Sequence, residues 1–408
     1  MIDNLMSLHS RLLRPYRRRS RNCRVRRLRG GQRDVVTRVV EQGYREAPQL
    51  MFFSGESAGG REALMMAQRY PDDYDGIIAT SPVLSWNYLM LASNAIRDRL
   101  IDGGFLNTDD IQLIVDQTRQ TCDALDGLVD GVIAKYMRCF NDVAALRCSS
   151  QAGSGCLTDN QLATVNAIRE PYQIPVDMAH GVTRFPGFYA TGDEDGDGYQ
   201  WPFYPVGTVA PFNPLPEGRG NEAGRGGLIN FATFWVRHMI AQDNTFDPYQ
   251  FTPSLYSARI QELSLLFDAT DPDLSAFSKQ GGKVIIVHPS ADNTTPLSVS
   301  AKYYRSVVKT MGQEAADEVM RLYVGPGGSH NVGGVTQIDA LKLLEDWRVN
   351  NQTPPDAPTA YDLDTTTGDF IRSMPACRYP AYPHYNGNGV ETEAASYICT
   401  AGSDPLGL

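Results

Sequence analysis

The chain has 408 residues, enough for one large domain with an insertion or for two domains. Its 42% hydrophobic and 21% charged residues are those of a globular protein, and no apolar run approaches the roughly 20 residues of a membrane span. The net charge of −10 conceals an asymmetry: residues 1–33 hold eleven Arg and one acidic residue, so the body is strongly acidic, which argues against nucleic acid as the main partner.

The Arg-rich start has no apolar core and reads neither as a signal peptide nor as a periodic helix. It reads as a segment foreign to the fold, with a basic nucleic-acid arm as the alternative. Regular pattern begins near Asp34. DVVTRVVEQGY has the spacing of an amphipathic helix, and APQLMFFSG reads as a buried strand.

Gly55-Glu56-Ser57-Ala58-Gly59 then matches G-x-S-x-G, between that apolar run and the helical GREALMMAQRYP. Strand, tight turn and helix are the context in which a serine is lifted above a sheet as a nucleophile. The N–H of Ala58, at the helix N-terminus, is placed to face a developing oxyanion. Without that context the motif would be an ordinary Gly-rich turn.

Chain order supplies the partners. GGKVIIVHPSAD reads as a strand ending in a loop with Asp292, and RLYVGPGGSHNVGG as a short strand and a Gly-rich loop with His330. The helix-like IDALKLLEDWRV follows. The order Ser, acid, His is that of an α/β-hydrolase, with His330 as base to Ser57 and Asp292 orienting the imidazole. His288 closes a buried strand and reads as a core residue.

Six of the seven Cys lie in short-range pairs: Cys122 with Cys139, Cys148 with Cys156, and Cys377 with Cys399. The spacing favours disulfides and an oxidising compartment, with free core thiols as the alternative. Cys23 has no evident partner. Between the pairs, Asp123, Asp126 and Asp130 crowd three carboxylates into CDALDGLVDGV, where Gly127 and Gly131 allow sharp turns. Hard oxygen donors at this density suit Ca²⁺, and a solvated acidic loop is the alternative. Asp193, Asp195 and Asp197 in GDEDGDGYQ lack the distal Glu of an EF-hand and read as an acidic turn.

The segments SGESAGGREALMMAQRYPDDYDGIIATSP, CDALDGLVDGVI, CLTDNQ, DPDLSAFSKQGGKVIIVHPSAD, VGPGGSH and ACRYPAYPHYNGNG, in this order, resemble the tannase and feruloyl esterase family. The resemblance spans roughly residues 34–408. It implies an α/β-hydrolase core with a large inserted lid, hydrolysis of esters of aromatic acids, and secretion or a periplasmic location. It also implies the three Cys pairs as disulfides. Structural Ca²⁺ is implied on Asp123, Asp126 and Asp130 with the carbonyls of Leu128 and Val132.

Two departures from the family stand out. The Cys pair that usually flanks the nucleophile and the His is replaced by Glu56 and Asn331, for which a hydrogen bond across the same gap is the expectation. Only one convincing strand precedes Ser57, so the N-terminal strands of the core are expected to be missing, with an early oxyanion donor.

The expected organisation is an atypical segment 1–33, a discontinuous catalytic domain of 34–84 and 271–408, and a lid of 85–270. The function expected is serine-dependent hydrolysis of phenolic-acid esters, with no membrane or nucleic-acid partner. A general carboxylesterase, or an impaired relative that only binds such esters, are the alternatives.

Overall fold

A computed structural model describes residues 37–139, 143–149, 153, 155–196, 199–211, 224–330 and 332–402. The Arg-rich start, Cys23, Asp197 and Asn331 lie outside these residues. Two compact units are distinguished, Met1–Met51 and Phe52–Leu408. In the first, residues 37–44 form a helix, α1, within the stretch whose spacing predicts one.

The second unit is built on a five-stranded sheet. Its chain runs β1 (Phe52–Glu56), α2 (Ala58–Arg69), β2 (Gly76–Thr80), α3 (Trp86–Arg99), α4 (Thr108–Cys122) and α5 (Asp159–Arg169). There follow the short strands β3 (Tyr172–Gln173) and β4 (Arg184–Phe185), then α6 (Gly227–Phe234), α7 (Ser257–Phe267), α8 (Ser275–Lys279) and β5 (Lys283–Pro289). The last part holds α9 (Leu297–Met311), α10 (Gln313–Val319), β6 (Met320–Gly325), α11 (Ala340–Asn350), β7 (Thr359–Leu363), β8 (Phe370–Pro375), β9 (Cys377–Arg378), β10 (Tyr382–Tyr385) and β11 (Tyr397–Thr400).

The sheet order is β1-β2-β5-β6-β9, parallel except for β9. Ser54 pairs with Ile78, Ile78 with Ile285, and Ile286 with Leu322. Successive side chains on a strand face opposite ways, so each central strand feeds two cores. Ile77, Val284, Ile286 and Leu322 pack with Leu64 of α2 and Val307 of α9. Ile78, Ile285, Val287 and Tyr323 pack with Leu344 and Trp347 of α11. Covered on both faces, β2, β5 and β6 are continuous apolar runs, as buried parallel strands must be.

β1 departs from the expected buried strand. Among the described residues it has a neighbour on one side only, and Ser54 and Glu56 are exposed.

The segment between β2 and β5 has its own apolar cluster. Met90 and Leu91 of α3, Ile114 of α4, Val165 of α5, Trp201, Leu228 of α6 and Leu263 of α7 meet in it. α4 and α5 begin at capping boxes, Asn107 with Asp110 and Thr158 with Gln161, each satisfying helix-end donors.

All three Cys pairs are disulfides: Cys122–Cys139, Cys148–Cys156 and Cys377–Cys399, with Cα separations of 5.3, 4.9 and 5.6 Å. The last is more than a stapled loop. Cys377 lies in β9, which pairs with β6, and Cys399 in β11, which pairs with β10, so the bridge ties a hairpin to the main sheet. Tyr382–Tyr385 and Tyr397–Thr400 are rich in β-forming residues, and the connection of irregular sequence between them hides the hairpin.

Candidate active site

Ser57 occupies the turn between β1 and α2 with φ 56° and ψ −120°, a conformation that residues with a side chain avoid. The surroundings enforce it. Its N–H donates to Thr80 O at 2.9 Å, and its carbonyl accepts from Arg61 N and Val83 N, both at 3.1 Å. Gly55 is required by space, because a Cβ there would lie 2.1 Å from the Gly59 carbonyl oxygen. A Cβ on Gly59 would meet nothing within 4 Å, so the first motif glycine carries the steric demand. Ala58 opens α2, where the first N–H groups have no acceptor within the helix.

The structure brings the three sequence-predicted side chains into one relay. His330 Nε2 is 2.8 Å from Ser57 Oγ, and His330 Nδ1 is 2.8 Å from Asp292 Oδ2. Asp292 and His330 keep only 3% and 4% of their surface exposed, while Ser57 is half-buried and reachable. His330 is carried by the loop after β6. Here Gly327 N donates to Ser290 Oγ at 2.9 Å, and a Cβ on Gly328 would lie 2.5 Å from the Gly333 carbonyl oxygen. The two arms of GPGGSHNVGG thus touch, which accounts for its glycines.

Asp292 is held by residues that motif reading passed over. Its Oδ1 accepts from Thr294 N at 2.9 Å and Thr295 N at 2.8 Å, and its Oδ2 accepts from Thr295 Oγ1 at 3.0 Å. An Asp followed two and three residues later by Thr is the local signal that could have found them, since such side chains close turns on backbone N–H groups. Burial pushes the Asp292 carboxyl up, but the charges and hydrogen bonds of His330 and His288 outweigh it and hold the group well below the usual carboxylate range. At His330 burial pushes down, while Asp292, by charge and hydrogen bond, and Glu56, by charge, push up. The imidazole ends above its ordinary 6.5.

His288 is the core residue expected. It is fully buried, with Nδ1 2.9 Å from Ser300 Oγ and Nε2 2.7 Å from Thr295 O. Two aromatic residues that sequence could not assign also border the site. The half-buried Tyr199 sets its ring edge-on to His330 at 5.4 Å, and Tyr204 lies 5.0 Å from Tyr199. Trp201, by contrast, is fully buried and donates to Asn293 Oδ1 at 3.2 Å, so it packs the interior. The proposed contact of Glu56 with Asn331 falls on a residue outside those described.

The acidic loop after Cys122 takes sharp turns at Gly127 and Gly131, with φ 96° and 83°. Asp123 and Asp126 are buried. Asp123 accepts from Gly131 N at 3.0 Å, Asp126 from Ala134 N at 2.7 Å and Leu128 N at 3.3 Å, and Asp130 from Val132 N at 3.0 Å. Arg372 also pairs with Asp130. The donor types suit a hard cation such as Ca²⁺. The arrangement is nonetheless closed on its own amides and on Arg372, and among the described residues no three acidic, His or Cys side chains converge as a metal site. In the second acidic stretch, Asp193 pairs with Arg119 at 3.3 Å and the buried Glu194 with Arg169 at 2.7 Å, as an ion-paired turn.

The sequence matches the family described as tannase and feruloyl esterase over residues 29–400. The chain belongs to that family. It is 29% identical to an uncharacterized esterase of Agrobacterium fabrum, covering 90% of this chain and 66% of that protein. It is likewise 29% identical to a probable feruloyl esterase of Arthroderma benhamiae, with 88% and 65% covered. Identity to the mono(2-hydroxyethyl) terephthalate hydrolase of Piscinibacter sakaiensis is also 29%, with 90% and 67% covered. The chain thus spans about two thirds of the length of these relatives. A solved esterase from Aspergillus oryzae shares the fold with a TM-score of 0.76 at 23% identity, over 90% of this chain and 72% of the other. Feruloyl esterase B from the same organism gives 0.72 at 22%, over 90% and 73%.

The geometry makes two predictions. Only neutral His330 can accept a proton, so ester turnover should rise with pH through a value above 6.5, read from the acid limb of kcat/KM. Thr295→Val keeps the backbone donors to Asp292 but removes one hydroxyl. It should lower kcat about 10-fold while KM stays within about 2-fold, the scale of one hydrogen bond to a charged group.

Proposed function

We propose that the chain is a serine carboxylic-ester hydrolase acting on esters of phenolic acids, by a two-step acyl transfer. The observation that carries this reading is the relay of Ser57, His330 and Asp292 at 2.8 Å per step on a strained strand–helix turn. Ser57 Oγ attacks the ester carbonyl as His330 Nε2 takes its proton. His330 returns the proton to the leaving alcohol and then activates water to release the acid. Asp292 holds the proton of Nδ1 and stabilises the imidazolium. The Ala58 N–H offers one donor to the oxyanion.

Residues 85–270 serve in this reading as a lid inserted between the two parts of a catalytic domain formed by 34–84 and 271–408. Its own apolar cluster supports that division, and Tyr199 and Tyr204 supply an aromatic wall for a phenolic ring. Names of relatives support the substrate class. The disulfides support secretion or a periplasmic location, and among the described residues no helix is long and apolar enough to cross a membrane. A general carboxylesterase is the second reading, favoured by Glu56 in place of the family's Cys.

Purified chain and Ser57→Ala should be compared for fluorophosphonate labelling and for turnover of methyl ferulate and an aliphatic methyl ester of similar size. The proposal expects labelling only with Ser57 present, loss of turnover of about 10⁶-fold without it, and a higher kcat/KM for the ferulate. Equal rates for the two esters would favour the general carboxylesterase.

Ca²⁺ is proposed for the 123–132 loop on donor chemistry, with the carboxylates of Asp123, Asp126 and Asp130 and the carbonyls of Leu128 and Val132 as its holders. Bound there it would neutralise crowded carboxylates and stiffen the loop, taking no part in the reaction. Saturating Ca²⁺ should then stabilise the fold by about 3 kcal/mol at roughly 100-fold excess over Kd, seen as a higher Tm than in chelator. An unchanged Tm would leave Arg372 as the permanent counter-charge.

A further inference from the structure

Glu56 is joined to the nucleophile by one peptide bond, so the two Cα atoms are only ~3.8 Å apart. It ends β1, and its side chain is exposed, next in the chain to the half-buried Ser57. Its field is not lost in solvent. His330, with 4% of its surface exposed, is influenced by two named charges, Asp292 and Glu56, and both are negative. Tyr199 borders the same imidazole, with Tyr204 beside it. Burial, then Tyr199 and Asp292, push the Tyr204 hydroxyl up to about 12, so Tyr204 is a neutral phenol.

An exposed carboxylate next in the chain to the nucleophile makes such a site selective by charge. The carboxylate attracts positive groups and repels negative ones, and the buried surroundings of His330 weaken screening on the site's side. We propose that Glu56 is a specificity-determining residue that turns away esters carrying a carboxylate and favours neutral and cationic esters. The preferred substrates are then fully esterified aromatic acids, in which no free acid remains beside the scissile bond, and half-esters of aromatic diacids are poor ones. This inference rests on the esterase reading above and adds the charge class of its substrates.

The test uses three methyl benzoates that differ only at the para position. One carries a methyl ester, one a carboxylate, and one a trimethylammoniomethyl group. Values of kcat/KM are measured for the wild-type chain and for Glu56→Gln, at low and at high salt. In the wild type, cationic and neutral esters should exceed the anionic one, and added salt should narrow the gap. In Glu56→Gln, the anionic ester should improve about 3-fold and the cationic ester should worsen about 3-fold, so that their ratio falls about 10-fold. A purely structural role would move all three esters by one factor, and that result, or an unchanged ratio, would overturn the inference alone. Failure of the wild type to hydrolyse even the neutral ester would overturn the esterase reading and this inference together.

Discussion

A carboxylate that keeps only 3% of its surface exposed must be given donors in place of water, and Asp292 draws them from its own loop and from the loop after β6. Two backbone N–H groups and the Thr295 hydroxyl come from residues 294–295, His330 Nδ1 lies 2.8 Å from Oδ2, and His288 Nε2 lies 3.5 Å from it. Because the Nδ1 proton of His330 is committed to Asp292, its Nε2 is left to face Ser57 as an acceptor. The tautomer that general-base chemistry needs is thus the one that burial of a charge demands. The raised affinity of His330 for a proton is the same interaction seen from the base.

The scaffold makes this placement rigid. β2 and β5 lie between β1 and β6, with apolar side chains covered on both faces, so the ends of β1, β5 and β6 cannot shift independently. Ser57, Asp292 and His330 each follow one of these ends. Strain at Ser57 persists because Thr80 O, Arg61 N and Val83 N fix its backbone.

Much of this was legible because the chemistry demands residues that are rare in combination. A Gly at 55 is dictated by the Gly59 carbonyl, and glycines at 328 and 334 by the mutual contact of two loop arms, so both motifs survive as strings of letters. The buried runs of β5 and β6 were legible for a different reason, as continuous apolar stretches between polar turns. What escaped had weaker signals. Thr294 and Thr295 are common residues whose role comes from a turn, and Tyr199 reaches His330 only through the fold. β1 read as buried from Leu50–Phe53, although among the described residues it pairs with β2 alone, and no local pattern reports the order of strands. In the acidic loop 123–132 the letters indicate donor types, while Asp130 pairs with Arg372, 242 residues away.

The central claim is that Ser57 becomes acylated during turnover. Rapid mixing with a 4-nitrophenyl ester at low pH, followed by quenching and mass measurement of the proteolytic peptides, reads this directly. The account predicts a burst of nitrophenol and an acyl mass increment on the peptide containing Ser57, absent from the Asp292 and His330 peptides. Steady hydrolysis with no burst and no modified Ser57 peptide, or an acyl group found on another side chain, would contradict it.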